Sequence, residues 1–502
     1  MTCPCLGTRR CHETDRRDAE GSQRMSSHLL LYILKRILVM VPTLFVIVLV
    51  CFLVLNFAPG KPGKAGEAAQ AAGSEEARAQ YRIFKETFNY DKPVLFNTYF
   101  WVERDEVLGL METSISPSAD PKDKIEAQNQ LEDYGEYIVP HLIEIASQVD
   151  DFELKRLAFY QLSINGQKRN LFLGRESDVP AAIKAEQREI GRHNQQVSKW
   201  TLPEKATAEE QARLLATWRE WFDTNQERFN WSSGERFSRF FTDTRFYKYM
   251  SNVIVGDLGF TIKKEPVLPE ILKRVKYSFT LSMLSIFLVY LLSIPIGIFS
   301  AMRQRTAADQ VMTVVLFILY SLPTFFVGTL IVQYIPNGEP LFTSGFETSV
   351  VANPNLTTGA RLWDMVLHLI LPVFCLTYGG LAALSRYARS GLLDVIRADY
   401  IRTARAKGLP EGIVVFKHAL RNGMIPILTI LGTLLPVLFG GSIVIEYIFE
   451  IDGIGRYLLQ AIQLRDYTVI MGILLISAVM TLCGLLISDI SYALVDPRIT
   501  FD

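Results

Sequence analysis

The chain has 502 residues, 49% of them hydrophobic and 21% charged, and its 52 basic and 52 acidic side chains cancel. A zero net charge gives no electrostatic case for nucleic acid or for a strongly acidic partner. The average hides a partition: charge is missing from six long runs and crowded between them.

A bilayer core about 30 Å thick needs roughly 20 apolar helical residues to cross it, and each of the six runs meets that length. A polar leader, residues 1–32, comes first. Its Cys3, Cys5 and Cys11 have no zinc-site spacing, and it is expected to be unstructured or to lie upstream of a start at Met25. The first run, Ile37–Phe57, is too long for a secretory signal and lacks a convincing cleavage site, so residues 33–58 are expected to stay as an anchoring transmembrane helix.

A water-soluble region, 59–275, follows. It opens on the breaker-rich Gly60-Lys61-Pro62-Gly63-Lys64-Ala65-Gly66. Ile138, Leu142, Ile145 and Val149, then Leu154, Leu157, Ala158 and Leu162, recur at helical spacing on either side of Asp150-Asp151. A further helix is predicted from Thr207, with Glu210 completing a capping box and Leu214, Leu215, Trp218, Trp221 and Phe222 buried on one side as an ordinary helical core. No cysteine lies in this region, so it folds without disulfides.

Residues 276–495 hold the remaining spans, Phe279–Ser300, Val311–Ile335, Met365–Leu384, Gly423–Ile445 and Tyr467–Ser488, and a short tail, 496–502, ends the chain. Pro42, Pro295, Pro323, Pro372, Pro426 and Pro436 interrupt the spans, which neighbouring membrane helices can tolerate. Cys51, Cys375 and Cys483 read as small buried hydrophobes. His368 reads equally as a path-lining group or as packing.

Basic residues near span ends stay on the cytoplasmic side. Lys35 and Arg36, then Arg303 and Arg305, then Arg386, Arg389, Arg397, Arg402, Arg405, Lys407, Lys417 and Arg421, and finally Arg498 all fall on one side if there are six spans. Both termini are therefore expected in the cytoplasm.

The densest local signal is Asp399-Tyr400-Ile401-Arg402-Thr403-Ala404-Arg405-Ala406-Lys407-Gly408-Leu409-Pro410, followed by His418-Ala419-Leu420-Arg421-Asn422. Small side chains allow close approach to another protein, and a glycine ends a helix without a clash. This stretch, within about 391–422, resembles the coupling loop of permeases of the dipeptide, oligopeptide and nickel ABC importers, in particular the first permease of the pair. Arg402, Thr403, Ala404 and Gly408 occupy the places of that family's Glu-Ala-Ala-x3-Gly pattern. Gly256-Asp257-Leu258-Gly259 with Pro266, Val267, Ile271 and Arg274, the Gly441-Ser442 to Tyr467 turn, Asp496-Pro497-Arg498-Ile499, Ala58-Pro59-Gly60, and Asp91, Pro93, Tyr99 and Trp101 are similar to it as well.

The resemblance implies an all-α membrane protein with six transmembrane helices of the type I ABC importer kind. It implies a bacterial inner-membrane permease that forms half of a path for peptides or similar solutes. Its partners would be a second permease, two cytoplasmic ATPases and a periplasmic substrate-binding protein, within the lipid bilayer and with no nucleic acid. Arg402, Thr403, Ala404, Arg405 and Gly408 would transmit the ATPase motion. The chain has no Gly-x4-Gly-Lys-Ser/Thr loop and no His-Glu-x-x-His, so it is expected to be no enzyme and to bind no cofactor, and the lack of carboxylates inside the six runs argues against a proton- or sodium-coupled carrier. ATP and magnesium would belong to the ATPase partners.

One departure stands out. A mainly helical insertion at about 102–255, between spans one and two, separates segments that are close together in ordinary members. It would either help to hold a binding protein and restrict access, or take no direct part in transport. The other class of reading is a membrane-anchored scaffold or sensor whose external domain does the work; such a protein has no need of the coupling loop.

Overall fold

The computed structural model describes residues 8–58, 75–169, 181–335, 341–348, 357–423 and 442–495. In chain order its helices are α1 (Thr8–Phe57), α2 (Glu75–Thr87), α3 (Arg104–Ile115), α4 (Pro121–Tyr134), α5 (Val139–Gln148), α6 (Phe152–Asn165), α7 (Ala181–Val197), α8 (Ala208–Thr224), α9 (Ser233–Thr242) and α10 (Arg245–Ile254). They continue as α11 (Val267–Met302), α12 (Ala307–Ser321), α13 (Thr324–Tyr334), α14 (Thr358–Ile396), α15 (Asp399–Ala406), α16 (Glu411–Ile413), a π-turn (Val414–Ala419), α17 (Leu420–Gly423), α18 (Ile443–Ile448), α19 (Ile454–Leu464) and α20 (Tyr467–Val495). Among the described residues no strand forms beyond one isolated bridge, Phe260 to Pro266.

The chain divides into two compact units. The first comprises residues up to Cys51, Pro269–Gln463 and everything from Ile470. Among the described residues four helices are long and apolar enough to cross a bilayer: Tyr32–Phe57 within α1, α11, α14 and Tyr467–Ile487 within α20. The expected third span, Val311–Ile335, is not one helix. It breaks between α12 and α13, which are bent by 82°.

The cause of the break is local. Proline disfavours helical backbone in the residue before it, and Leu322 sits in the extended region. The carbonyl this frees accepts a hydrogen bond from the buried Tyr378 hydroxyl at 3.0 Å. Pro42, Pro295 and Pro372 remain inside their helices. The expected fifth span, Gly423–Ile445, lies almost wholly outside the described residues, as do Pro426 and Pro436. α1 starts at Thr8, so the polar leader expected to be unstructured is helical from that point.

Helices α11 and α14 approach closely through small residues, the usual basis of membrane helix packing. A β-carbon built on Gly297 would lie 2.4 Å from Ala388 Cβ and 2.9 Å from the Ser385 carbonyl. Ser293 Oγ donates to the Leu381 carbonyl at 3.2 Å in the same seam. A core of Leu281, Leu369, Leu371, Val373, Ile445, Phe449 and Ile451 fills the space nearer α18. Cys375 is buried, but Cys51 is half-buried and Cys483 exposed, unlike the expectation for all three.

The second unit, Phe52–Leu268 with Leu464–Val469, contains the insertion. Asp151 caps α6 through the amides of Glu153 and Leu154 at 2.8 and 3.0 Å, which ends α5 and turns the chain back as α6. The capping box expected at Thr207 and Glu210 is present at the start of α8, and Ser232 with Glu235 forms another on α9. Leu142, Ile145, Phe159, Leu162, Met111, Leu131 and Trp218 fill one apolar core. Fully burying each such side chain contributes about 1.5–3 kcal/mol, so this core stabilises the insertion without cross-links. Trp218 is wholly buried, its indole nitrogen donates to the Trp200 carbonyl at 3.2 Å, and its ring meets Trp200 and Trp221 edge-on. The aromatic cluster is therefore packing.

The insertion leaves and returns through a narrow neck. The Asn97 amide donates to the Phe240 carbonyl at 2.8 Å, and those of Arg245 and Phe246 donate to the carbonyls of Pro93 and Val94 at 2.9 and 3.1 Å. Asp243, buried beside this neck, accepts from Lys92 at 3.0 Å and from the Tyr137 hydroxyl at 2.6 Å.

Candidate functional site

The coupling-loop sequence folds as a short amphipathic helix, α15, directly after α14. Ile401 and Ala404 point inward and are buried with Ile298, Ala301, Leu392, Val414, Val415 and Ala419. That contact fixes the helix to the bundle. Arg402, Thr403, Arg405, Ala406 and Lys407 are exposed, so the remainder of the helix surface is open to another protein.

Of the five expected site residues, Arg402, Thr403, Arg405 and Gly408 are presented outward and Ala404 is a packing residue. Thr403 Oγ1 donates to the Asp399 carbonyl at 3.0 Å, as helical threonines commonly do. Arg405 forms a two-pronged pair with Glu411 at 3.1 and 2.6 Å. The hydrogen bonds of this pair raise the arginine above its usual value and hold the Glu411 carboxyl below its own. The pair is exposed, so it braces the loop rather than stabilising the fold appreciably.

Gly408 closes the helix at φ +77°, and a β-carbon there would meet nothing within 4 Å. Glycine is favoured by backbone conformation at this position and not by lack of room within the chain. Beyond it, Pro410 leads into α16 and the π-turn, whose Phe416 and Ile413 are exposed next to Leu409. At Gly423 a β-carbon would press on Leu392 Cα at 3.2 Å and the Gly391 carbonyl at 3.3 Å. The returning chain is thereby held against α14.

Two polar junctions, neither evident as such in the sequence, stiffen the bundle on which the loop rides. Asp309, in the first turn of α12, is buried. It accepts from Arg389 of α14 at 2.7 Å, from Ser300 of α11 at 2.5 Å and from the Arg305 amide at 3.0 Å. One carboxylate thus ties three helices, with Arg389 lying ten residues before α15. Glu446, in α18, is fully buried. It accepts from Ser278 at 2.8 Å, the Ser442 amide at 3.0 Å and the Arg456 amide at 3.1 Å. Gly453 and Gly455 leave the space it occupies.

His368 is packed. Its ring stacks on Phe342 with centroids 4.2 Å apart, and Nδ1 lies 2.9 Å from the Asp364 carbonyl. Asp364 in turn accepts from the amide and hydroxyl of Thr348 at 2.7 and 2.6 Å. Among the described residues no group of three or more histidine, cysteine or acidic side chains is placed to hold a metal.

The fold and site define an all-α polytopic membrane protein whose bundle presents one short helix, on a basic loop, for contact with another protein. A protein-family profile described as binding-protein-dependent transport system inner membrane component matches residues 293–501. The oligopeptide transport system permease protein AppB of Bacillus subtilis is 41% identical over 260 residues, covering 51% of this chain and 80% of that protein. The dipeptide permease DppB of the same organism is 35% identical over 253 residues, 50% of this chain and 77% of that one. The glutathione permease GsiC of Pectobacterium atrosepticum is 36% identical over 259 residues, 51% and 79%. The chain belongs to this family of multi-pass inner-membrane permease subunits of ABC importers, and it works within a transport system that has other subunits.

Proposed function

We propose that this permease carries short peptides, pairs with a second permease to enclose the path, and is driven by two ATPases docked on the loops of the pair. An external binding protein delivers the solute on the side of the insertion. The loop and both termini face the cytoplasm, in keeping with the Lys and Arg residues around α15 and at Lys35 and Arg36. The ATPase partners bind ATP and magnesium, while this chain performs no hydrolysis and binds no cofactor.

The observation that carries this reading is the division of α15 into a face buried on the bundle and an exposed face ended by Gly408. A helix held this way moves as part of α14 and α17 and passes on displacement imposed on its outer face. Arg402, Thr403 and Gly408 make the contact, Ala404 anchors it from behind, and Arg405 holds the turn through Glu411. Peptide cargo is supported by the oligopeptide, dipeptide and glutathione relatives. The test is uptake of a labelled tripeptide by cells with and without the gene, in the presence of unlabelled di- and tripeptides. Chain-dependent uptake that these competitors suppress is expected. Equal uptake by both strains would remove peptides as the cargo.

A further inference from the structure

The surface of the insertion is not uniformly polar. Across residues 104–229 only Ile115 and Tyr160 are exposed large hydrophobics among the described residues. At the neck they crowd together: Phe237 is 71% exposed, Trp101 67%, Phe96 51% and Phe241 44%. These rings form one patch with Phe240. Phe96 stacks on Phe240 at 5.3 Å, Trp101 meets Phe240 at 5.6 Å, and Phe237 meets Phe241 at 5.5 Å. Phe237, Phe240 and Phe241 fall at i, i+3 and i+4, so they share one face of α9, while Glu235 and Arg239 lie on the other.

Within the same unit, the helix that follows α9 after two residues packs on the last turns of the first span. Phe52 lies 5.3 Å edge-on from Phe246 and 5.8 Å from Tyr249, and Arg245 donates to the Asn56 side chain at 3.2 Å. Residues 52–57 are the end of a bilayer-crossing helix, so α10 sits at the depth where hydrocarbon gives way to headgroups. The patch at the neck is continuous with that level through the Pro93 and Val94 hydrogen bonds to Arg245 and Phe246. Ile254, the last residue of α10, and Val255 just after it are 79% and 78% exposed.

We propose that the aromatic face formed by Phe96, Trp101, Phe237 and Phe241 lies in the membrane–water interface and is covered by lipid on the insertion's side of the bilayer. Aromatic side chains concentrate at that level, and an amphipathic helix lies in the interface plane with its apolar face in the lipid. Arg236, exposed and adjacent to Phe237 in α9, is long enough to reach headgroup phosphates from that level. The insertion is thereby anchored at its base while its polar remainder stands in water.

The experiment uses the full chain with its six cysteines replaced, in nanodiscs of phosphatidylethanolamine and phosphatidylglycerol. Spin labels are placed by Phe237→Cys, Trp101→Cys, Val54→Cys as a lipid-facing control and Arg219→Cys as a water-facing one. The expected result is collision with oxygen exceeding collision with a water-soluble nickel chelate at 237 and 101, shifted toward the ratio at 54 and away from that at 219. A water-like ratio at 237 and 101 would overturn the proposal. So would protection from both reagents, which would mean a protein covers the patch. As a measurement in the native-cysteine chain, brominated acyl chains should quench a fluorescence component present in wild type and lost in Trp101→Phe; identical quenching of the two proteins counts against lipid contact.

Discussion

Replacing Gly453 by alanine would place a methyl group 2.4 Å from Oε2 of Glu446 and 2.5 Å from Oγ of Ser278. Neither neighbour is a flexible surface group: both are buried, and they are hydrogen-bonded to each other at 2.8 Å. The carboxylate must move, and moving it breaks the bond from the Arg456 amide to Oε2. Overpacking a filled interior costs about 1–3 kcal/mol. One lost hydrogen bond to a charged acceptor adds about 1.5–3 kcal/mol. The sum, roughly 2.5–6 kcal/mol, corresponds to a fall in melting temperature of about 5 °C or more for a unit of this size. The assay is thermal unfolding of the detergent-solubilised chain followed by fluorescence-detected size exclusion, at one heating rate for all variants. Gly359→Ala is the control, since a β-carbon there meets nothing within 4 Å. If the two variants melt together within a degree or two, the buried Glu446 junction does not hold the turn as described.

Asp309→Asn should destabilise the first unit by about 2–4 kcal/mol, below the figure for a fully enclosed pair because Arg389 reaches solvent. The double variant with Arg389→Gln should recover part of that loss in the same melting assay. At Asp243, burial raises the carboxyl, but Lys92, the Tyr137 hydroxyl and Lys248 together hold it below the usual range. A lowered folded-state value means stability that is present above the unfolded carboxylate range and lost as pH falls through the folded one. The stability advantage of wild type over Asp243→Asn, read by tryptophan fluorescence, should therefore shrink below about pH 4. Because Asn97 and Phe240 are hydrogen-bonded neighbours, replacing residues 98–239 with a short glycine–serine linker should leave a chain that still inserts. Failure to accumulate in the membrane would show that the permease portion needs the insertion to fold.

Charge-free runs reveal spans because a bilayer excludes charge, and four described helices contain the expected segments. Helix ends were less legible. α14 extends twelve residues past Leu384 to Ile396 through Arg386 and Arg389, since charge is tolerated once a helix leaves hydrocarbon. Three prolines within helices and one at a break look alike in sequence. Pro323 differs in having Tyr378, 55 positions away, beside the freed carbonyl of Leu322. The short helix α15 was readable because its signal is local: Thr403, Ala404 and Ala406 followed by Gly408 at its end. Asp309 and Arg389 were not, as they are 80 residues apart and the arginine is indistinguishable from other basic residues near span ends. The turn from Gly441-Ser442 to Tyr467 was visible, but the reason for Gly453 and Gly455 within it, a buried Glu446 carboxylate needing room, required the fold. The helical repeats of the insertion and its tryptophan core were legible from periodicity, whereas the lipid-facing neck depends on which rings remain uncovered.

The most direct test of the account is ATP-driven peptide uptake by proteoliposomes holding the complete importer, with wild-type chain, Gly408→Asn or Gly408→Arg. Asparagine adopts the left-handed backbone that Gly408 uses, and the open space around that position leaves room within the chain for arginine as well. Uptake is expected with wild type and with asparagine, and loss of uptake with arginine in complexes that still contain a normally folded permease. Uptake at the wild-type rate with Gly408→Arg would contradict the account, because the outer face of α15 would then not be where the driving force enters.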